Sequence, residues 1–386
     1  MFSRWLSISA DRSCLLVGPR RSGKTTLLKQ QCPELEYRTL DDLDYLDWAE
    51  KDPKGFVQDL GHAGIIDEIQ WLPRLTLAVK HAIDNSGALI HMTGSSTLGL
   101  LDAAADTLAG RIALKSLPSA CWGEDLGPST HSIFKEEAHP LQIKEGRRFL
   151  EQAMTFGQFP EVLTCRQEED KDETLIRYKN TYFTRDLMQL SNIENLQGLL
   201  AIFHHLVQCL GSHLEVSNFA REAGVSHPTA KKYLNALNQA QLTFQLPGYQ
   251  FGPAKKFIKA TKTYFVDNGI IHSLNMPVSQ GPLLESFVIA ELEKRRKLGF
   301  INTDRLYYYK SAAGHEVDLV FETRDTLYVV EIKSTHRPGK RDITHLEQFE
   351  PKKKISVQRV LFYLGEAYGM KGDVQLIPVA ALFRGK

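Results

Sequence analysis

The stretch SCLLVGPRRSGKTTLLKQ, residues 13–30, decides the fold of the first third of the chain. It has the pattern of a short apolar strand, a loop and a helix, and the loop GPRRSGKT (residues 18–25) has the form GxxxxGK[ST]. Glycines in such a loop let backbone N–H groups surround phosphates, and the positive end of the helix dipole adds attraction. The stretch therefore predicts a phosphate-binding loop for ATP.

The residue types in this loop predict individual roles. The ammonium of Lys24 reaches the β- and γ-phosphates, and the hydroxyl of Thr25 holds Mg²⁺. The residues expected to bind the nucleotide here are Gly18, Pro19, Arg20, Arg21, Ser22, Gly23, Lys24, Thr25 and Thr26.

A second apolar strand, in GIIDEIQ (residues 64–70), ends in two acidic residues. We expect Asp67 to bind Mg²⁺ through water and Glu68 to polarise the attacking water as a general base, so Glu68 and Lys24 are predicted to be catalytic. The alternative is that the Asp-Glu pair only opens the next loop.

Two further features of this region are less specific. In ALIHMTGSS (residues 88–96), Thr93, Ser95 or Ser96 can contact the γ-phosphate or the water, although small polar residues after a strand are also plain turn formers. Arg111 can stabilise the transferring phosphate, in cis or from a neighbouring subunit, or be an exposed surface arginine.

The order of elements predicts the fold class. Strands near 13–17, 36–40, 64–67, 88–93 and 112–117 alternate with helices, including 74–85 and 97–105, which indicates an α/β fold with a parallel, doubly wound sheet. Ligands of such sheets lie at the carboxyl ends of the strands, where Lys24, Asp67 and Thr93 fall.

The middle of the chain contains a helix-turn-helix pattern in SNFAREAGVSHPTAKKYLNALNQA (residues 217–240). Ser226 can cap a second helix with Pro228 in its first turn, and QLTFQLPGYQ (residues 241–250) can form a wing hairpin. Residues 213–262 carry a balance of +5, from Arg221, Lys231, Lys232, Lys255, Lys256, Lys259 and Lys262 against Glu215 and Glu222. Such a patch suits DNA phosphates, but a winged helix also serves as a packing or protein-docking module.

The last third contains a predicted β-hairpin, GHEVDLVFETRDTLYVVEIKST (residues 314–335). With a two-residue loop at 324–325, Asp318 lies opposite Glu331 and Glu316 lies opposite Lys333, on one face of the hairpin. Two carboxylates this close bind Mg²⁺ or Mn²⁺, and Lys333 can orient or help deprotonate a water.

A helix beginning near Gly281 supplies a further acid, Glu285, beside its apolar face. The predicted metal ligands of this cluster are therefore Glu285, Asp318 and Glu331, and its predicted catalytic residues are Asp318, Glu331 and Lys333. The alternative is a structural hairpin in which Glu316 forms a salt bridge with Lys333.

The composition of the 386-residue chain bounds the class of protein. It is 42% hydrophobic and 24% charged, with a net charge of +1 and a mean hydropathy of −0.27, which is typical of a globular protein of two or three domains. Neither a membrane helix nor a secretory signal peptide is visible, and five scattered cysteines without a CxxC pair indicate free thiols and a cytoplasmic location.

Together these residues resemble bacterial and archaeal ATP-binding proteins that have an AAA-type ATPase core followed by the domain of unknown function 4143. The resemblance covers nearly the whole chain and rests on the segments GPRRSGKTTLLKQ, IIDEIQWLP, MTGSS, LAGRI, FGQFPE, YFTRDL, SHPTAKKYLNAL, YFVDNGI, LLESFVIAEL, GHEVDLVF and VVEIKST. One departure is FGQFPE, where Gln158 stands in place of a second glycine of the family, so that this turn can differ.

The resemblance implies three domains: an ATPase core at 1–140, a helical and winged-helix region at 141–260, and a domain at 261–386 similar to PD-(D/E)xK nucleases. It implies that Lys24, Thr25, Asp67 and Glu68 carry the ATPase. The expected function is an Mg-ATP-dependent switch or motor coupled to a DNA-binding and DNA-cleaving domain. Two alternatives stand: a non-cleaving switch that binds DNA or protein, and an assembly ATPase without a DNA role, whose winged helix binds a partner protein. A homo-oligomer or a protein partner is also expected.

Overall fold

The computed structural model describes residues 2–95, 108–187, 193, 195–250, 261–311, 314–351 and 354–386, and for 183–186 it describes the backbone alone. Within these ranges the chain forms three β-sheets with helices packed around them. No helix of these ranges is both long and apolar enough to cross a membrane.

The first sheet has five strands, all parallel to their neighbours, in the spatial order β2-β3-β4-β1-β5. The strands are β1 (Cys14–Val17), β2 (Glu36–Thr39), β3 (Ala63–Asp67), β4 (Leu89–Gly94) and β5 (Ala113–Ser116). The helices beside them are α1 (Lys24–Gln31), α2 (Leu43–Lys51), α3 (Pro53–Gln58) and α4 (Thr76–Ser86). The predicted parallel α/β sheet is confirmed, whereas the predicted helix at 97–105 and Ser96 lie outside the described residues.

The three central strands of this sheet are buried on both faces. Leu15, Leu16, Ile66 and Ile90 are all fully buried, as expected for parallel strands covered by helices on each side. Their continuous apolar runs end at the edge where Gly18, Asp67 and Ser95 follow, so that polar side chains gather at one edge of an apolar layer.

A helical region follows the first sheet. Its helices are α5 (Pro140–Phe156), α6 (Pro160–Thr164), α7 (Glu168–Tyr178), a π-helical segment (Lys179–Asp186), α8 (Leu196–Gln208), α9 (Val216–Glu222), α10 (His227–Gln239) and α11 (Asn268–Ser273). The predicted turn between α9 and α10 is present: Gly224 has φ +62°, and Ser226 Oγ accepts from Thr229 N–H at 3.2 Å as the cap of α10.

A small antiparallel sheet packs beside these helices, in the order β6-β8-β7. Its strands are β6 (His213–Leu214), β7 (Thr243–Pro247) and β8 (Thr261–Phe265). The expectation of a hairpin within 241–250 was wrong, because β7 pairs with β8, more than ten residues further along the chain. The predicted boundary between 260 and 261 consequently falls between two paired strands.

The basic patch predicted for residues 213–262 also needs correction. Lys262 is 2% exposed and forms ion pairs with Glu316 (2.6 Å) and Glu285 (3.8 Å), so its charge is not available at the surface. Three other members, Lys255, Lys256 and Lys259, lie outside the described residues.

The last sheet has six strands in the order β13-β14-β12-β11-β10-β9. The strands are β9 (Tyr307–Lys310), β10 (Glu316–Glu322), β11 (Thr326–Lys333), β12 (Ser356–Tyr363), β13 (Gly369–Lys371) and β14 (Val374–Pro378). The long helix α12 (Gln280–Lys297) packs against β11 and β8, and the short helix α13 (Thr344–Glu347) follows the hairpin.

The chain that follows β5 packs against the end of the chain. The Trp122 ring packs edge to face against Phe287 of α12 and against Phe383, with distances between ring centroids of 5.4 Å and 5.3 Å. Ile133 and Ile143 belong to the same core. The predicted boundary at residue 140 therefore lies inside a continuous apolar core, which ties the first and last thirds of the molecule together.

Candidate functional site

The loop between β1 and α1 is shaped by close backbone contacts. A Cβ atom at Gly18 would lie 2.1 Å from the carbonyl oxygen of Leu117, so a side chain is excluded there. Gly23 has φ +92° at the start of α1, a conformation that favours glycine. The predicted glycines thus serve the tight path of a phosphate-binding loop.

Lys24 bends back over this loop. Its Nζ donates to the carbonyl oxygens of Gly18 (3.0 Å) and Pro19 (3.2 Å), and the side chain is buried. Burial lowers the pKa of Lys24, while the carboxylates of Glu68 and Asp67 act in the opposite direction. A buried ammonium that is held by loop carbonyls, with Ser22 Oγ buried and without a hydrogen-bond partner, fits an anionic phosphate as the natural ligand.

Asp67 lies at the end of β3 within a ring of hydroxyl groups. Thr25 Oγ1 donates to its carboxylate (2.9 Å to Oδ2), Tyr37 donates to Oδ2 at 2.7 Å, and Thr93 Oγ1 donates to Oδ1. The structure therefore brings together the predicted Mg²⁺-binding residues Thr25 and Asp67. These hard oxygen donors suit Mg²⁺. Asp67 would be the acidic residue that holds the ion, and it would do so through a water molecule.

Glu68 follows Asp67 in the left-handed conformation, with φ +57°. Its N–H donates to Thr93 Oγ1 at 3.1 Å, so Thr93 contacts both acidic residues. Its side chain accepts from Gln70 Nε2, which also donates to Ser95 Oγ at 3.0 Å. Glu68 is half-buried at the same edge as the loop, where a general base would have to lie.

Arg111 lies elsewhere. It comes two residues before β5, at the amino-terminal edge of the sheet, and its Nε is 2.6 Å from Asp84 Oδ1 at the end of α4. The prediction that Arg111 contacts ATP in cis was wrong, because the loop and Lys24 lie at the opposite, carboxyl-terminal edge. A role in a neighbouring subunit stays a prediction.

Part of the loop lies against the helical region. Arg21 has φ +62°, and its Nη1 is 2.9 Å from Glu161 Oε2 at the start of α6. Pro160 also approaches the loop, since a Cβ atom at Gly23 would lie 3.9 Å from its Cγ. Thr26 is half-buried in the first turn of α1.

Three residues of this site were not predicted. Tyr37 comes from β2, Gln70 follows Glu68, and Arg4 donates to the carbonyl oxygen of Ser22 at 2.6 Å and to Glu124 at 2.9 Å. Gln70 lies in the same segment as Asp67 and Glu68, so its position in the sequence could have indicated a place in the site. The other two reach the loop only through the fold, and no spacing in the sequence indicated them.

A second site lies where α12 meets the β10–β11 hairpin. The observed ladder pairs Leu319 with Val330 and Glu322 with Leu327, so the predicted register is confirmed over residues 319–322 and 327–330. One step beyond, the Asp318 carboxylate accepts from Ile332 N–H at 2.9 Å. The register of β10 against β9 shifts between Val317 and Val320, and such an irregularity re-aims side chains.

The predicted cluster of Glu285, Asp318, Glu331 and Lys333 is brought together by this hairpin. Lys333 Nζ lies 2.5 Å from Glu331 Oε1, and Asp318 interacts electrostatically with both Glu285 and Glu331. Burial, and then the nearby Asp318, raise the pKa of Glu331 to about 8 and also raise that of Glu285. Burial opposes the charge of Lys333, but Glu331 and Asp318 outweigh it and raise its pKa.

Glu316 does not form an ion pair with Lys333, so the alternative of a Glu316–Lys333 salt bridge was wrong. Glu316 is instead bonded to Lys262 (2.6 Å), which comes from β8, and to His213 (3.1 Å), which comes from β6. These partners of the small sheet, far away in sequence, hold Glu316 away from the end of β11.

The small sheet also holds Glu285. Tyr264 of β8 donates to Glu285 Oε1 at 2.6 Å, and a Cβ atom at Gly211 would lie 2.9 Å from the Glu285 carboxylate oxygens. The acidic cluster is therefore built by both the helical region and the C-terminal sheet. Within the described ranges, no group of three or more His, Cys, Asp or Glu side chains is arranged to hold a metal ion, and the predicted metal ligands stay a prediction.

A buried ion network lies between the two sites. Lys294 of α12 bonds to Glu291 (2.8 Å), to Asp267 (3.1 Å) and to the carbonyl oxygen of Ala120 (3.1 Å). Burial disfavours the charged forms of Glu291 and Lys294, but their neighbours outweigh this effect. Lys294 and Arg295 lower the pKa of Glu291, and Glu291 and Asp267 raise the pKa of Lys294. Two cations and two anions thus neutralise one another in the interior.

This network reaches the segment FGQFPE. The N–H of Gln158 donates to the Asp267 carboxylate at 3.0 Å, and Ser119 Oγ donates to it at 2.6 Å. Gln158 does not have a positive φ, so its backbone does not require the glycine of the family pattern. Asp267 consequently joins the chain after β5, the approach to α6 and helix α12.

Family models match three parts of the chain. One is described as an AAA domain and matches residues 10–126, which include the loop, Asp67 and Glu68. This chain carries an AAA domain. The other two are domains of unknown function, DUF8612 at residues 147–280 and DUF4143 at residues 280–382. An AAA domain implies the use of ATP and Mg²⁺, and the DUF4143 match confirms the expected C-terminal domain without supporting a nuclease assignment.

Similar curated proteins carry no functional name. An uncharacterized protein of Mycobacterium tuberculosis is 28% identical over 345 residues, which are 84% of this chain and 71% of that protein. An uncharacterized protein of Methanocaldococcus jannaschii is 25% identical over 351 residues, 84% of this chain and 76% of that protein.

Two solved structures give weaker matches. A signal transduction ATPase with numerous domains and a tetratricopeptide repeat sensor, from Pyrococcus horikoshii, is 10% identical with a TM-score of 0.24; the match covers 76% of this chain and 46% of that chain. A Vibrio cholerae protein is 12% identical with a TM-score of 0.22, and 96% of this chain and 95% of that chain are covered.

Proposed function

We propose that this protein is an Mg-ATP-hydrolysing switch whose nucleotide state is passed to its C-terminal domain. The observation that carries the proposal is the joint placement of Lys24, Thr25, Asp67 and Glu68 at one sheet edge. This edge combines a phosphate-binding loop, oxygen donors for Mg²⁺ and a carboxylate for a water, which are the parts that phosphoryl transfer needs.

Each residue has a separate task in this proposal. The loop N–H groups and Lys24 bind and orient the phosphates, while Thr25 and Asp67 hold Mg²⁺, which neutralises developing charge when bound. Glu68 accepts the proton of the attacking water, and Thr93 fixes its backbone. Lys24 leaves the carbonyl oxygens of Gly18 and Pro19 to reach the phosphates, because an anion offers its charge a better partner than two neutral acceptors.

A continuous set of contacts supports coupling to the C-terminal domain. Arg21 of the loop is paired with Glu161, and three residues earlier the N–H of Gln158 binds Asp267. Asp267 is paired with Lys294 of α12, the helix that also carries Glu285. A shift of the loop on binding nucleotide would therefore act on the helix that builds the acidic cluster.

Nucleotide binding and turnover test the first part. Lys24→Ala should lose ATP turnover by at least about a hundredfold and bind nucleotide weakly. Glu68→Gln should bind Mg-ATP as the wild type does but hydrolyse it about a hundred times more slowly, because its amide cannot accept the proton. Wild-type turnover in either variant would contradict the assigned roles.

A second function, metal-dependent cleavage of DNA, is proposed for the acidic cluster. The observation that favours it is Glu331 Oε2, which is buried without a hydrogen-bond partner although Oε1 is paired with Lys333. An orphaned carboxylate oxygen near Asp318 and Glu285 suits Mg²⁺ or Mn²⁺, which would polarise a phosphate oxygen when bound. Lys333, which is 36% exposed, can orient the attacking water.

The helix-turn-helix supports a DNA partner. The exposed side chains of Arg221, Lys231 and Lys232 lie on α9 and α10, and β7 and β8 follow in the position of a winged helix's wing. The competing proposals are a non-cleaving switch that binds DNA or protein and an assembly ATPase that binds only a partner protein.

The five free cysteines are compatible with a reducing compartment such as the cytoplasm.

Supercoiled plasmid separates these proposals. The protein is incubated with Mg²⁺ or Mn²⁺, with and without ATP, beside Asp318→Asn and Lys333→Met; Lys310→Met is the matched lysine control, since Lys310 is exposed at the neighbouring strand. Cleavage that both site variants lose and the control keeps supports a nuclease. Absence of cleavage with every metal contradicts it. DNA-stimulated ATP turnover without cleavage favours the non-cleaving switch.

A further inference from the structure

The carboxamide of Gln70 connects the proposed general base to the end of β4. Its Nε2 donates to Glu68 Oε2 and to Ser95 Oγ (3.0 Å), and its Oε1 accepts from the Ser95 N–H (3.3 Å). Both ends of the amide are engaged, so the side chain is held in one orientation and bridges two separate segments of the sheet edge.

The local backbone explains why Glu68 needs such a partner. Glu68 has φ +57°, a strained conformation for a non-glycine residue, which persists only where contacts impose it. Its N–H is fixed by Thr93 Oγ1, and a 3₁₀ turn over Ile69–Trp71 brings Gln70 back towards it. Because the backbone is fixed in this way, the direction of the Glu68 carboxylate depends on its hydrogen-bond partner, which is Gln70.

Ser95 lies next to the phosphate-binding loop. Val17 pairs with Gly94, and the N–H of Gly18 donates to the carbonyl oxygen of Gly94 at 3.3 Å. Ser95 is 1% exposed and follows directly, on the side where Lys24 contacts Gly18. The bridge made by Gln70 therefore runs from the proposed base to a group beside the phosphates.

We propose that Gln70 is a positioning residue for ATP hydrolysis, which aims the Glu68 carboxylate at the attacking water and ties this orientation to Ser95. This inference rests on the proposed function, since it requires Glu68 to act as the base. Gln70 itself exchanges no proton and binds no phosphate. Its loss should therefore lower kcat and leave nucleotide binding unchanged, because orientation contributes to the transition state alone.

The test compares Gln70→Met, which keeps the length and packing of the side chain but removes its polar atoms, with Gln70→Ala. We expect both to lower kcat for ATP about ten- to a hundredfold, with KM and the affinity for a fluorescent ADP within about twofold of wild type. Gln31→Met is the matched control, because Gln31 also makes two hydrogen bonds, to Ile8 and Leu6, at the far end of α1. Its kcat should not change.

A double variant gives the readout that a structural role would not move. In the Glu68→Gln background, Gln70→Met should cause no further loss, because two residues that act as a unit are not additive. A wild-type kcat in Gln70→Met would overturn the proposal, also where Gln70→Ala is slow, because packing of the side chain would then be sufficient. Additive losses of kcat in the double variant would overturn it as well.

The outcomes also separate this proposal from the proposed function. Wild-type turnover in Lys24→Ala or Glu68→Gln would mean that the proposed function fails, and the role of Gln70 would fall with it. Slow Lys24→Ala and Glu68→Gln beside a normal Gln70→Met would keep the ATPase and overturn the role of Gln70 alone.

Discussion

At the scale of single residues, the carboxylate of Asp67 is fixed by three hydroxyl groups. Thr25 and Thr93 come from the two segments expected to contact the nucleotide, whereas Tyr37 comes from β2. Burial, and then the hydrogen bond to Asp67, raise the pKa of Tyr37, so it stays a donor at neutral pH. Tyr37 can keep Asp67 in place when Thr25 turns to Mg²⁺.

We therefore predict that Tyr37→Phe raises the Mg²⁺ concentration needed for half-maximal ATP turnover about three- to tenfold, at an unchanged maximal rate. The stability cost should be about 1.5–3 kcal/mol, because one hydrogen bond to a charged acceptor is lost. A magnesium titration of turnover checks this, with Tyr45→Phe as the control. An unchanged magnesium requirement would show that Thr25 and Thr93 suffice.

The burial of Glu331 predicts a pH effect on stability. Its pKa, about 8 in the folded chain, lies above the ordinary value of 4.5, so the folded state binds more protons than the unfolded state between these values. This group therefore makes the protein less stable as pH rises from about 4.5 to 8. In Glu331→Gln that part of the decline should vanish, while exposed Glu350→Gln should keep it. Thermal unfolding across this range tests the prediction, and identical pH profiles in wild type and Glu331→Gln would contradict it.

The residues whose position at one edge of the sheet could be predicted from the sequence are those with a fixed relation to a strand end. Lys24, Thr25, Asp67 and Glu68 follow apolar strands whose parallel order places them at one edge. The position of Arg111 could not be predicted in this way, because closeness to a strand in the sequence does not tell at which edge of the sheet a residue lies. The bonds of Gln70 depend on a backbone turn that no spacing encodes.

At the scale of elements, helix α12 connects the ion network with the acidic cluster. Its carboxyl-terminal half holds Glu291, Lys294 and Arg295 in the interior, and its first turns carry Glu285. A buried charge is tolerated only with partners, so the position of this helix is determined by the network.

Lys294→Met should consequently cost about 3–5 kcal/mol, because it leaves Asp267 and Glu291 buried with one cation fewer. Lys51→Met is the control: it breaks an exposed ion pair with Asp47 on α2 and should cost about 1 kcal/mol or less. Denaturant unfolding measures both. Equal losses would mean that the network does not hold α12.

Strands were predicted with unequal success for a physical reason. The two-residue loop of the β10–β11 hairpin fixes its register, and the observed pairs agree with the prediction. The partner of β7 is not its neighbour in sequence, so local turn signals in 241–250 indicated a hairpin that does not form. Non-local pairing also brings Lys262 and Tyr264 to the acidic cluster, and no local pattern indicated their presence there.

At the scale of the whole molecule, the ATPase sheet touches the helical region through the pair Arg21–Glu161. Both side chains are partly exposed, so the pair itself stabilises the fold by about 1 kcal/mol or less. Its effect on nucleotide binding should be larger, because Glu161 competes with phosphate for the Arg21 charge.

We predict that Glu161→Gln raises the affinity for ATP about two- to fivefold at low salt and that the gain shrinks at high salt. Exposed Glu169→Gln, on the next helix, should leave the affinity unchanged. Equilibrium binding of a fluorescent nucleotide checks both variants. Weaker binding in Glu161→Gln would mean that the pair holds the loop in its binding shape instead of competing with the ligand.

In the proposed mechanism, nucleotide at the loop acts on the C-terminal domain through α12. Hydrogen exchange of the peptides covering residues 280–297 tests it most directly, in the presence and absence of a non-hydrolysable Mg-ATP analogue, with Lys24→Ala as the control. We predict that the analogue changes hydrogen exchange in these peptides at least about threefold in wild type and not in Lys24→Ala. A change confined to residues 10–126 in wild type would contradict it.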